Sequence, residues 1–240
     1  MSLVKLPFLF SGLVASHIVM SPPQPKVDAA KLPRDVALYE RFFSSVAHTA
    51  IQLTKLTTCA PYILEIAVII ASEYPSHPLS QLILDALVHG PFALSERIAL
   101  SRPYLLFWGL GILGNFVRYQ CYRVLDRSFT YELAVRKEQR LVTGGPYSYV
   151  RHPSYTAATV GLISTSLMHI APGSWLKECG FLQTQVGSAM AMLHVALSTF
   201  LTLSVTWRTV GEDAMLKKHF GKEWEEYAQR VPYRLIPFVY

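Results

Sequence analysis

Long apolar runs most constrain how this chain can fold. The hydrocarbon core of a membrane is about 30 Å thick, and a helix needs about 20 residues to cross it. Five runs approach that length and are predicted to be membrane-spanning helices. They cover residues 3–20, 44–72, 98–119, 156–170 and 186–207. The sequence therefore predicts an all-α, polytopic integral membrane protein with about five transmembrane helices.

The first two runs leave details open. Run 3–20 is either a cleaved signal peptide or a retained span. Prolines at 22, 23 and 25 follow it where a small-x-small cleavage site is expected, which favours a retained span. The second run begins with several polar residues, and Pro61 predicts a kink in its helix.

The composition agrees with a membrane protein. The chain is 51% hydrophobic and 16% charged. Soluble domains are typically about 25% charged. A net charge of +6 suits nucleic acid or an anionic membrane surface, and the apolar runs favour the membrane. Cys59, Cys121 and Cys179 lie about sixty residues apart, with no Cys-x-x-Cys and no paired His spacing. The sequence therefore indicates neither a zinc site nor a disulfide framework, and we expect three small apolar residues and no metal.

Basic residues are distributed unevenly among the connections, which predicts the orientation. Segments 21–41, 118–154 and 207–240 hold 17 Lys and Arg, whereas 73–102 and 171–186 hold three. We therefore expect the 118–154 loop and the C-terminal tail to share the cytosolic side.

The loop before the fourth span has strong turn signals. Gly144-Gly145-Pro146 predicts a tight turn, and Pro153 suits the first position of a helix. Free N–H groups at that helix start favour an anionic or carboxylate-bearing ligand. Tyr147, Tyr149 and Tyr155 offer flat faces for a base or a sulfonium, or form an interfacial aromatic belt.

The tail continues the fifth span. Arg208 and Glu212 are four residues apart, so they share one face if the helix extends. They form either a simple ion pair or a functional pair at the membrane boundary. Phe220, Trp224 and Tyr227 recur at helical spacing and predict an apolar face for packing or interface docking.

Three segments together resemble the isoprenylcysteine carboxyl methyltransferases over roughly residues 130–240. They are Leu-Val-Thr-Gly-Gly-Pro-Tyr at 141–147, Arg-His-Pro-Ser-Tyr at 151–155, and Arg208…Glu212 with Phe-Gly-x-x-Trp-x-x-Tyr-x-x-Arg-Val-Pro at 220–232. The loop element is shared with phospholipid methyltransferases and, more loosely, with sterol reductases of the endoplasmic reticulum. The ending at 231–237 also resembles those reductases.

The resemblance implies an enzyme that uses S-adenosylmethionine to methylate the carboxylate of a C-terminal prenylated cysteine in CaaX-type proteins. It implies that Arg208 holds the substrate carboxylate and Glu212 faces the cofactor's ammonium or sulfonium. His152 is then a cofactor contact and not a general base. The positions matching the family's cofactor-binding stretches are Glu132, where relatives are expected to have Gln, together with Gln139, Arg140, Leu141, Val142, Tyr147, His152, Pro153, Ser154 and Tyr155.

The resemblance also sets expectations for organisation. Residues 1–120 hold the first three spans, and 121–240 form the catalytic region with a cytosolic cofactor site built from the loop and the tail. A multi-pass location in the endoplasmic reticulum follows from the family, with the bilayer and prenylated CaaX proteins as partners and no nucleic acid. The polar connector 171–186 is longer than the family's hairpin.

The lipid is expected to enter between the fourth and fifth spans. The small residues there line that gap or serve close helix packing. They are Ala157, Ala158, Gly161, Gly187 and Ala189.

Three other functions remain open on the same scaffold. A phospholipid amine methyltransferase has no need of a cationic clamp such as Arg208. A sterol reductase using NADPH needs a site for the 2′-phosphate, and no Rossmann glycine motif is present. A non-catalytic scaffold is the third.

Overall fold

The computed structural model describes residues 2–21, 38–126 and 140–239, with side chains described from residue 3 and, in the second range, from residue 46. Every regular element within those ranges is helical, which confirms the all-α prediction. The α-helices are α1 (Leu6–Val19), α2 (Leu38–Glu73), α3 (Pro78–Leu87), α4 (Arg102–Leu125), α5 (Pro153–His169), α6 (Trp175–Glu178), α7 (Gln185–Phe220) and α8 (Lys222–Arg230).

Two helices in the described ranges are long and apolar enough to cross a membrane, Val46–Glu73 within α2 and Gln185–Phe220, which is α7. The other three predicted runs contain α1, α4 and α5, so each of the five runs contains a helix. α5 has 17 residues, and α4 carries three arginines that lower its hydropathy. A count of five spans therefore stays a prediction.

The chain divides into two compact units, which are described separately. Unit 1 comprises Met1–His17, Leu53–Leu113 and Val160–Ser198. Unit 2 comprises Ile18–Gln52, Gly114–Thr159 and Thr199–Tyr240. The predicted boundary after residue 120 stays a prediction.

Unit 1 is built around a buried ion pair within an apolar core. The Nζ of Lys5 contacts the Glu65 carboxylate and donates a 2.7 Å hydrogen bond to the carbonyl oxygen of Gly173. Its ammonium also lies over the ring of Tyr104, 3.9 Å from the ring centre. Because isolated buried charges are costly, this pairing makes the burial of Lys5 and Glu65 tolerable.

The connector 171–186 differs from the predicted polar loop. Trp175 and Cys179 are 1% and 0% exposed and lie in the core of unit 1. The indole N–H of Trp175 donates to the carbonyl oxygen of Leu87 at 2.9 Å. Gly187 packs against the backbone of Phe181, leaving no room for a Cβ atom, so this small residue serves close packing.

Unit 2 contains the N-terminal turns of α5, the C-terminal part of α7, and α8. Gly221, with a φ of +54°, separates α7 from α8. Trp224, Tyr227 and Val231 are buried, and Phe220 packs partly buried against them. The predicted apolar face thus packs against other residues of the tail and against Leu141 of the loop.

The three cysteines are buried and carry free thiols. This confirms their prediction as small apolar residues.

Candidate functional site

The start of α5 is fixed by the turn that the sequence predicts. Gly145 has a φ of +61°. This backbone conformation favours glycine. Pro153 is the first residue of α5. The backbone N–H groups of Arg151 and His152 donate, both at 2.9 Å, to the carbonyl oxygens of Tyr233 and Arg234. The C-terminal segment therefore holds the loop immediately before the helix.

Two predicted site residues meet directly across α5 and α7. The hydroxyl of Tyr155 donates a 2.6 Å hydrogen bond to Oε2 of Glu212. The ring of His152 stacks on the ring of Tyr155, with the ring centres 5.6 Å apart and 7° between the planes. Nδ1 of His152 lies 3.7 Å from the same Glu212 oxygen. His152, Tyr155 and Glu212 therefore form one cluster.

Arg208 lies one helical turn before Glu212. α7 runs unbroken to Phe220, so the condition for the two residues to share a face is met. Arg208 is 4% exposed. A buried guanidinium beside this cluster is suited to a carboxylate, because its planar fork matches two oxygens.

Asp213 has a central structural role that the sequence analysis did not assign. Its Oδ1 lies 3.0 Å from Nε2 of His152, and its Oδ2 accepts a 2.9 Å hydrogen bond from Nε of Arg234. Nη1 of Arg151 lies 3.5 Å from Oδ2. Asp213 is 4% exposed and joins the loop, α7 and the C-terminal segment through these contacts. In the sequence, the only indication of this role was that Asp213 directly follows Glu212.

His152 lies between two carboxylates and forms a hydrogen bond with one of them. Because an aspartate accepts and does not donate, Nε2 of His152 carries a hydrogen toward Asp213. On the other side of the ring, Nδ1 lies 3.7 Å from Oε2 of Glu212, so the imidazole separates the two carboxylates.

Arg118 supports the first turn of α5 from α4. Its Nη1 donates to the carbonyl oxygen of Ser154 at 2.9 Å and lies 3.1 Å from the Ser154 hydroxyl. Its Nε donates to the carbonyl oxygen of Val19 at 3.3 Å. The signal for this residue was present in the sequence, because an ionisable residue inside an apolar run is a candidate functional residue.

Tyr147 and Tyr227 join the loop to α8. The Tyr227 hydroxyl donates a 2.8 Å hydrogen bond to the backbone carbonyl oxygen of Tyr147. Burial raises the pKa of the Tyr147 hydroxyl well above its ordinary value, and burial likewise raises the pKa of Tyr227. Both hydroxyls are therefore neutral.

The other predicted positions form the surroundings of this cluster. Arg140 is exposed, Leu141 and Val142 are half-buried, and Pro153 and Ser154 are buried. Glu132 and Gln139 lie outside the described residues. Among the residues that the structure describes, a Cβ placed on Gly144 meets no atom within 4 Å.

These residues fit a ligand carrying both cationic and aromatic groups. The Glu212 side chain is 27% exposed. Its carboxylate keeps lone pairs beyond the one used by Tyr155. Tyr149 is 74% exposed on the loop and offers an aromatic face.

Comparison with known proteins confirms the resemblance. The family model of the isoprenylcysteine carboxyl methyltransferase family matches residues 107–177. Protein-S-isoprenylcysteine O-methyltransferase B of Arabidopsis thaliana is 34% identical over 135 residues, which are 53% of this chain and 56% of that protein. The Schizosaccharomyces pombe protein-S-isoprenylcysteine O-methyltransferase is 30% identical over 52% of this chain and 45% of its own length.

Delta(14)-sterol reductases match over a smaller share of their own length. A delta(14)-sterol reductase of Mus musculus is 28% identical over 102 residues, which are 42% of this chain and 20% of the reductase. The chain thus spans a little over half the length of the methyltransferases it matches first and a fifth of this reductase.

Proposed function

We propose that this chain transfers a methyl group from S-adenosylmethionine to the C-terminal carboxylate of a prenylated cysteine. One observation carries the proposal: Arg208 is buried one turn before Glu212, and Glu212 is held by Tyr155 from the first turns of α5. The similarity to methyltransferases over residues 107–177 supports the same reaction.

In this proposal Arg208 binds the substrate carboxylate. Its guanidinium is able to donate two parallel hydrogen bonds and thereby fix the direction of the nucleophilic oxygen. Because Arg208 is buried, its interaction with an anion is less screened by water than at the surface. Alignment and placement of charge are the protein's main contributions, because an ionised carboxylate needs no catalytic base.

Glu212 faces the positively charged part of the cofactor. When bound, S-adenosylmethionine supplies an electrophilic methyl group on a sulfonium. Tyr155 fixes the Glu212 carboxylate through its hydrogen bond, and His152 lies beside Glu212 and is itself bound to Asp213. Further cofactor contacts are proposed at Glu132, Gln139, Arg140, Leu141, Val142, Tyr147, His152, Pro153, Ser154 and Tyr155.

The prenyl chain is proposed to reach the site from the bilayer, because each buried CH₂ contributes about 0.8 kcal/mol toward staying in an apolar environment. The charge distribution of the connections supports a cytosolic position for the loop and the tail. Residence in the endoplasmic reticulum and prenylated CaaX proteins as substrates belong to the same proposal.

The test is turnover by the purified full chain in detergent with methyl-labelled S-adenosylmethionine and N-acetyl-S-farnesylcysteine. Label recovered as a base-labile methyl ester is the expected result. Absence of turnover together with tight binding of NADPH contradicts the proposal and favours a sterol reductase.

The amine methyltransferase alternative is tested in the same assay. A phospholipid amine replaces the prenylcysteine as acceptor, and its product is a base-stable N-methyl group. Transfer to the amine with none to the carboxylate contradicts the role given to Arg208.

A further inference from the structure

The contact between Asp213 and His152 determines which side of the imidazole carries its hydrogen. Nε2 of His152 lies 3.0 Å from Oδ1 of Asp213, within hydrogen-bond range. With a hydrogen on Nδ1 alone, the Nε2 lone pair would face a carboxylate oxygen at this distance with no hydrogen between them. The neutral ring therefore carries its hydrogen on Nε2 and has a lone pair on Nδ1.

The Nδ1 side of the ring is next to Glu212, the carboxylate proposed to face the cofactor. Nδ1 lies 3.7 Å from Oε2 of Glu212, which is too far for a hydrogen bond. This Oε2 already accepts a 2.6 Å hydrogen bond from the Tyr155 hydroxyl. Stacking on Tyr155, with 7° between the ring planes, holds the imidazole in its orientation. His152 thus adds no second donor to Glu212 while its hydrogen stays on Nε2.

A hydrogen on Nδ1 of His152 would instead place a donor beside Glu212. A small approach of the two side chains would then turn their 3.7 Å separation into a hydrogen bond. The carboxylate would have one lone pair fewer for another donor, and its charge would be partly compensated from within the protein. A cation bound by Glu212 would therefore be held less tightly.

Two arginines occupy the other oxygen of Asp213. Nε of Arg234 donates to Oδ2 at 2.9 Å, and Nη1 of Arg151 lies 3.5 Å from the same oxygen. Guanidinium groups donate hydrogen bonds and do not accept them. A carboxylate serves both sides, because one oxygen faces the arginines and the other faces Nε2 of His152. An amide at this position has a single oxygen, which would turn to the arginines and leave its NH₂ group facing Nε2.

We propose that Asp213 is a positioning residue that keeps the hydrogen of His152 on Nε2 and thereby leaves Glu212 available to the positively charged part of the cofactor. The proposal rests on the cofactor role proposed for Glu212. Asp213 acts through His152 and needs no contact of its own with the cofactor. Its carboxylate thus has a second role besides joining the loop, α7 and the C-terminal segment.

The first test is nuclear magnetic resonance of the purified full chain in detergent, labelled with ¹⁵N-histidine. The imidazole nitrogen chemical shifts show which ring nitrogen carries hydrogen, and His152→Phe identifies the signals of His152 by their absence. We expect hydrogen on Nε2 in the wild type and on Nδ1 in Asp213→Asn. The same exchange beside the histidine of a serine protease imposes the wrong tautomer.

Equilibrium binding of S-adenosylmethionine shows whether the position of this hydrogen affects the cofactor. We expect the Kd to rise about fivefold in Asp213→Asn, the effect of one neutral hydrogen bond. Arg234→Gln is the matched control, because it removes another contact of Asp213 and keeps the carboxylate that faces His152. In this control we expect a lower unfolding temperature, hydrogen still on Nε2, and a Kd within about twofold of the wild type.

A hydrogen on Nδ1 of His152 in the wild type, alone or together with one on Nε2, would overturn the proposal even if Asp213→Asn does not fold. An unchanged tautomer in Asp213→Asn, an unchanged Kd, or equal changes of Kd in Asp213→Asn and Arg234→Gln would also overturn it. Absence of S-adenosylmethionine binding by the wild type would instead contradict the proposed function, on which this role of Asp213 depends.

Discussion

Tyr155 and Glu212 are joined by a 2.6 Å hydrogen bond that links the first turns of α5 to α7. A carboxylate that accepts such a bond is held in one orientation, and its remaining lone pairs point in fixed directions. The proposed cofactor contact of Glu212 therefore depends on a residue of the neighbouring helix.

Tyr155→Phe removes the hydroxyl and keeps the ring that stacks on His152. We expect the KM for S-adenosylmethionine to rise about tenfold, because a hydrogen bond to a charged group contributes about 1.5 kcal/mol. We expect kcat at saturating cofactor to change little. Tyr149→Phe at the exposed loop position is the matched control. Equal effects of the two variants would count against the positioning role of Tyr155.

Asp213→Asn keeps the shape of the side chain and removes its charge. His152, Arg151 and Arg234 converge on this buried carboxylate. We therefore expect a loss of about 3 kcal/mol in the free energy of unfolding. Thermal unfolding of the purified protein in detergent measures the change. Glu226→Gln breaks the exposed pair with Lys222 and is expected to have no measurable effect. A wild-type unfolding temperature for Asp213→Asn would contradict the central structural role of Asp213.

Arg118→Leu removes the donors that reach Ser154 and Val19. We expect a destabilisation of about 3 kcal/mol, because the buried acceptors lose their partner. Ser154→Ala keeps the backbone carbonyl contact and is expected to cost about 1 kcal/mol. Arg123→Leu, exposed on the same helix, is the control. If Arg118→Leu and Arg123→Leu have the same free energy of unfolding, Arg118 does not stabilise the start of α5.

Tyr227→Phe tests the junction between α8 and the loop through its pH dependence. Burial raises the pKa of Tyr227 above its ordinary value of 10.0. Above about pH 10 the unfolded chain therefore ionises this hydroxyl before the folded chain does. The stabilising effect of the hydroxyl is thus fully present below about pH 10 and declines as pH rises further. We expect the wild type to be about 1 kcal/mol more stable than Tyr227→Phe near pH 8, and less so near pH 11. A difference that grows with pH would contradict this account.

The sequence allowed the local features of the site to be predicted. The turn at Gly145, which has a positive φ, and the helix start at Pro153 were both predicted correctly. Each depends on the backbone preferences of the residue itself. The sharing of one face by Arg208 and Glu212 was conditional on the fifth helix continuing, and α7 meets that condition by running to Phe220. These features needed no knowledge of distant contacts.

The contacts between distant residues could not be predicted in the same way. His152 meets Asp213 61 residues further along, and the Tyr227 hydroxyl reaches the Tyr147 carbonyl across 80 residues. The connector 171–186 contains Lys177 and Glu178 and has a polar composition, yet Trp175 is buried in the core of unit 1. Composition does not show which side of such a segment faces the core.

The central claim is that Arg208 binds the carboxylate of the acceptor, and Arg208→Gln tests it most directly. Steady-state kinetics with N-acetyl-S-farnesylcysteine measure the effect on the acceptor. Equilibrium binding of S-adenosylmethionine measures the effect on the cofactor. We expect kcat/KM for the acceptor to fall at least about 100-fold, since a buried charge-assisted pair is lost, while the Kd of the cofactor changes less than about threefold. Glu212→Gln is expected to show the reverse pattern, with the larger effect on cofactor binding. Wild-type kcat/KM in Arg208→Gln would contradict the account.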